Sequence, residues 1–204
     1  AGGIQASFLP EQVPVVDGWS IDASLTPARQ TSGDFYDFIP LGDGKLGLVV
    51  ADVADKGTGA ALYMALSRTL IRTYAVEYPA QPARALDEAN RRILAETDTG
   101  MFVTVFYGVL NPGTGELTYC NAGHNPPYLF RVFDGGEFEE LHATGIPLGM
   151  LADSTWEHRE VTVRHGDRLL AYTDGATDAT NEHEEPFGEQ RLLEVARNAA
   201  LLSP

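Results

Sequence analysis

Runs of apolar or alternating residues, cut by short Gly/Pro/Asp turns such as "LGDGK", "NPGTGE" and "FDGGE", organise most of the chain. "KLGLVVADV", "GMFVTVFYGVL", "GELTYCNAG", "PPYLFRVF", "EHREVTVRHGD" and "DRLLAYTD" have strand length and are rich in Val, Leu, Phe, Tyr and Thr. Their short glycine-containing connections predict hairpins, hence a mostly antiparallel sheet content. Two stretches carry helical periodicity instead. Residues 58–78 repeat apolar positions at Leu62, Ala65, Leu66 and Leu70, and residues 82–97 repeat them at Leu86, Ala89, Ile93 and Leu94. Pro82 suits the opening turn of the second. A third helix is predicted from near Gly188 almost to the end of the chain. Paired helices set among hairpin strands predict an α+β fold, with helices packed on the outside of sheet.

Length adds that one core is enough, because 204 residues suit a single domain. No apolar run reaches membrane-spanning length. The formal net charge of −15 opposes a phosphate backbone, and no Lys/Arg cluster interrupts it, so nucleic-acid binding is not expected. The single cysteine, Cys120, excludes an internal disulfide, and the N-terminus lacks the features of a secretion signal, so a cytoplasmic location is expected.

Charge also marks the chemistry. "LGLVVADV" is apolar until Asp52 and "RLLAYTDG" until Asp174, so two strands are expected to deliver a carboxylate at their C-terminal ends. A half-buried carboxylate has to be paired, hydrogen-bonded or bound to metal. Asp34 of "TSGDFYDF" joins them, since all three border a glycine or small-residue turn that a cation could approach. Such hard oxygen donors suit magnesium or manganese, and no zinc spacing occurs. Asp is also a turn former, and Asp37, Asp43, Asp55 and Asp178 are read that way, Asp37 as support for its own loop. Cys120 lacks the arginine six positions on that a cysteine phosphatase needs, the residue there being Pro126, and is read as a core-facing strand residue. His124, ahead of two prolines, is read as organising backbone.

Taken in order, "SGDFYDF", "VVADVADKGTGAAL", "MFVTVFYGVLNPGTGELTYCNAGHNPPYL", "TGIPLGM" and "LLAYTDGATDATNEHEEPFGEQRLLE" resemble the metal-dependent protein serine/threonine phosphatases of the PPM (type 2C) family, in its bacterial SpoIIE/RsbU-like branch. The resemblance covers residues 4–194. It implies an α-β-β-α sandwich of two antiparallel sheets flanked by helix pairs, with a two-metal site for Mn2+ or Mg2+. Asp52 matches the bridging aspartate, the Val53 carbonyl the backbone ligand, Asp34 the first acidic residue and Asp174 the aspartate of the "TDG" motif. The mechanism implied is attack by metal-activated water, with Asp34, Asp52 and Asp174 as the catalytic set. The family also carries an acidic pair beyond its third helix; this chain stops at Pro204 before such a segment, and the expectation of a second ion rests on it. A histidine that animal and plant members place after the bridging aspartate is replaced here by Val53, Ala54 and Asp55.

The same resemblance implies a phosphoserine or phosphothreonine substrate on a STAS-type anti-sigma factor antagonist, within signal transduction and stress response. It makes residues 1–14 a linker remnant from an upstream sensor or receiver domain, and residues 15–204 the phosphatase domain, short of its C-terminal end. The helices at 58–78 and 82–97 are then candidates to transmit regulation. A phosphatase-like binding module without turnover is the alternative reading.

Overall fold

The computed structural model describes residues 8–10, 12–27, 32–134 and 137–202, so the expected linker lies largely outside the described residues. The backbone forms two compact units, one of residues up to His124 with Ala143–Thr162, the other of Asn125–His142 with Val163 onward.

The first unit is built on strands β1 (Phe35–Pro40), β2 (Leu46–Val53), β3 (Val103–Asn111), β4 (Glu116–Ala122) and β7 (Arg159–Thr162). They form a five-stranded sheet in the order β1-β2-β3-β4-β7, every pair antiparallel. Helices α1 (Thr58–Glu77) and α2 (Pro82–Glu96) follow β2, and Pro82 does open α2. Because side chains alternate across a strand, Phe35, Ile39, Val49, Ala51, Val53, Val103, Val105, Tyr107, Cys120 and Ala122 share one face. That face forms the core with Ala60, Tyr63, Met64 and Ile71 of α1 and Leu86, Ala89 and Ile93 of α2. Asp52 and Thr104, one residue out of phase, belong to the opposite face.

The helical stretches are where periodicity placed them, but α1 buries a different stripe. Ala60, Tyr63, Met64, Ser67, Ile71 and Ala75 face the sheet, whereas Leu62 is 69% exposed. The helix is apolar on nearly every side, so its sequence pattern does not fix which face turns inward.

The second unit holds β5 (Tyr128–Arg131), β6 (Glu137–Glu140) and β8 (Arg168–Leu170), a three-stranded antiparallel sheet in the order β6-β5-β8. A one-turn helix α3 (Asp174–Thr177) and the helix α4 (Glu189–Leu202) follow. Leu192, Leu193 and Ala196 of α4 pack against Tyr128, Phe130 and Tyr172. The two antiparallel sheets and four helices agree with the α+β expectation. Strands β1 and β6 were not among those predicted. Among the described residues, no helix is long and apolar enough to cross a membrane.

Candidate metal centre

Register explains how two aspartates distant in sequence meet. Phe35 pairs with Ala51 across β1 and β2, so Asp34, one residue before Phe35, comes beside Asp52, one residue after Ala51. Both belong to the sheet face away from α1 and α2, both are half-buried, and their carboxylate oxygens lie within 4.8 Å of each other. Ser32 holds the entry to this corner. Its hydroxyl donates to Asp34 Oδ2 (3.2 Å) and accepts the Asp34 N–H (3.1 Å).

Gly33 supplies the space. A Cβ there would stand 2.8 Å from the Val53 carbonyl oxygen and 3.1 Å from Asp52 Oδ1. The turn noticed in "TSGDFYDF" is therefore a close approach, in which the missing side chain leaves two oxygen donors uncovered. The Val53 carbonyl already accepts the Asp55 N–H at 2.7 Å, and an sp2 oxygen has a second lone pair. Two carboxylates and a carbonyl form a hard oxygen donor set, so these residues fit magnesium or manganese.

Sequence reading did not single out Thr104. It is the β3 partner of Asp52, and only the strand register reveals it. Its hydroxyl lies 3.3 Å from the Asp52 carbonyl oxygen and 2.8 Å from Nδ1 of His124. The His124 N–H donates to Asn121 Oδ1 at 2.8 Å. Buried His124 thus braces the backbone behind Asp52, in keeping with the organising role read for it.

Two expectations need correcting. Asp174 does not end a strand: β8 stops at Leu170, and exposed Asp174 opens α3 in the second unit. The three residues between leave the ladder, and the apolar run continues through them because Tyr172 packs inward, not because the strand extends. Asp37 does not serve its own loop. It sits in β1 on the core face between Phe35 and Ile39, is 1% exposed, and pairs with Arg68 (3.1 Å) and Arg72 (2.8 Å) of α1. Compensation for its burial comes from a helix far along the chain, invisible to a local motif. Asp43, Asp55 and Asp178 are exposed, as read. Cys120 is fully buried in β4, its Sγ 3.2 Å from the Glu157 carbonyl, and burial pushes its thiol up to about 12.

Comparison with known proteins gives the same direction. The chain is 38% identical to protein IcfG of Synechocystis over 94% of its own length and 34% of the relative's. It is 31% identical to the phosphoserine phosphatase RsbU of Bacillus subtilis over 95% of the chain and 58% of that protein. It therefore spans between a third and three fifths of the length of these relatives. Among solved structures, the SiaA-PP2C domain of Pseudomonas aeruginosa superposes with a TM-score of 0.78 at 22% identity, covering 98% of this chain and 80% of that one, which supports the fold. The RsbU and RsbW domains of a Mycobacterium tuberculosis protein superpose with a TM-score of 0.70 at 29% identity, covering 86% and 48%. The family model described as stage II sporulation protein E matches residues 42–204. With four fifths of its length matched, the chain belongs to the SpoIIE family.

Proposed function

We propose that the chain is a protein phosphatase that hydrolyses phosphoserine or phosphothreonine, with Asp34, Asp52 and the Val53 carbonyl holding Mn2+ or Mg2+ and Asp174 supplying a further carboxylate. The observation that carries this reading is the Asp34–Asp52 corner with Gly33 beside it: two carboxylates within 4.8 Å and a backbone carbonyl left open by the missing Cβ. Two like charges at that distance raise each other's energy in the absence of a counter-charge, which a divalent cation provides. Relatives named phosphoserine phosphatases support the reaction class.

Divalent cations bound there would supply an activated water and neutralise phosphoryl charge for in-line attack. The protein's own part is to hold its oxygens ready. Ser32 fixes the Asp34 carboxylate, and the Thr104–His124 pair fixes the strand that carries Asp52. Phosphorus is attacked without a covalent intermediate, in keeping with a lone cysteine that is buried and held as a thiol. By the family resemblance the substrate is a phosphorylated STAS-type regulatory protein, and an upstream sensor or receiver domain regulates the phosphatase domain. The residues around the metal ligands do not identify that partner.

Phosphate release from a phosphoserine-bearing STAS protein, followed with Mn2+ and with chelator, tests the proposal. Release is expected only with the metal, and Asp52→Asn is expected to lower kcat at least a hundredfold. Turnover that persists in chelator, or an Asp52→Asn variant as active as the parent chain, contradicts it.

A further inference from the structure

We propose that Glu189, in the first turn of α4, is a positioning residue for Asp174, holding the segment that leads into α3 while the neighbouring Gly188 ties its far end; this rests on the reading of Asp174 as a metal ligand. A four-residue helix has no stability of its own, since one turn fixes several dihedrals for a single backbone bond. The position of α3 must therefore be set by tertiary ties, and they converge on two consecutive residues, Gly188 and Glu189.

On the near side stands Tyr172, two residues before Asp174 and 6% exposed. Its ring stacks almost parallel on Tyr128 of β5, with centroids 5.6 Å apart and 7° between planes. Its hydroxyl donates to Glu189 Oε1 at 3.1 Å, and the Tyr128 hydroxyl donates to the same oxygen. One carboxylate oxygen thus collects two phenols, one from β5 and one from the segment leading into α3. Bonds to a charged acceptor are stronger than neutral ones, and a carboxylate suits the first turn of a helix.

On the far side, the Gly188 N–H donates to the Thr177 carbonyl at 2.8 Å, and the Phe187 N–H to Ala179 at 2.7 Å. Within the turn, the Thr177 hydroxyl and the Asp178 N–H both donate to the Asp174 carbonyl. Asp174 is exposed, and its backbone is tied between Tyr172 and Thr177, with both tethers leading to the start of α4. Leu192, Leu193 and Ala196 seat that helix on the small sheet, which gives the tethers a firm base.

The test is Mn2+ affinity, read from the electron paramagnetic resonance signal of free Mn2+, with thermal midpoints measured alongside. Partners that orient metal ligands typically change affinity by about 10- to 100-fold when removed. Glu189→Leu is expected to weaken Mn2+ binding about tenfold. Glu189→Gln, which keeps an oxygen acceptor, should restore most of it. Tyr172→Phe removes one hydroxyl, keeps the stacked ring, and should weaken binding severalfold without unfolding, so it decides the matter if Glu189→Leu does not fold. A lower thermal midpoint with unchanged Mn2+ affinity in both Glu189→Leu and Tyr172→Phe means that the cluster only secures α4, and overturns the proposal. Asp174→Asn separates the two levels. Unchanged Mn2+ affinity in that variant refutes the ligand reading itself, and with it any positioning role. Lost affinity there beside unchanged affinity in the other variants refutes the clamp alone.

Discussion

Tyr107 and Cys120 face each other across β3 and β4, both fully buried. The Tyr107 hydroxyl has no hydrogen-bond partner among the described residues, and burial raises its pKa. The Cys120 thiol is pushed up to about 12, chiefly by burial. In the unfolded chain a thiol loses its proton near about pH 8.5. Between that pH and 12 the unfolded state binds fewer protons than the native one, so stability falls as pH rises. Urea midpoints from pH 8 to 10.5 should show the parent losing about 1 kcal/mol per pH unit more than Cys120→Ala. Parallel slopes would mean that the thiol titrates normally in the fold. The core position of this residue was legible from its strand alone, because a small apolar group in an alternating run has few other places to go.

Strand β1 and helix α1 illustrate what local pattern conceals. The alternation of "FYDFIP" is interrupted by Asp37 on the inward side, and the ion pairs with Arg68 and Arg72 make that position tolerable. The same ion pairs help choose which face of a nearly all-apolar helix turns to the sheet, together with the Tyr63 hydroxyl donating to the Met101 carbonyl at 2.8 Å. Removing one member of a buried pair costs about 3 kcal/mol, because the remaining charge is left without its partner. Asp37→Leu should therefore lower the thermal midpoint by about 6 to 12 °C for a chain of this size. Replacing Arg68 and Arg72 by Met in the same variant should recover much of the loss. A midpoint for Asp37→Leu within about 2 °C of the parent, equivalent to about 0.5 to 1 kcal/mol, would show that the pairs contribute little. Strand β6 was hidden for another reason: "EFEE" offers one apolar residue among three carboxylates, and its pairing with β5 rests on backbone bonds that composition does not signal.

Across the chain, a net charge of −15 is the background on which the acidic corner stands, and it favours cations over nucleic-acid phosphates. Asp34, Asp52 and Asp174 stood out in the sequence because they close apolar runs or border glycine, and strand register brings the first two side by side. What escaped was the support, Thr104 behind Asp52 and Arg68 and Arg72 behind Asp37, each joined to its target through register or packing, and likewise the pairing of Glu189 with Tyr172 and Tyr128. Calorimetric titration of Mn2+ decides whether Asp34 and Asp52 hold a divalent cation as proposed. Saturable binding to the parent chain is expected, weakened at least about tenfold in Asp34→Asn and in Asp52→Asn while both stay folded. Equal Mn2+ affinity in the parent and both variants would contradict it.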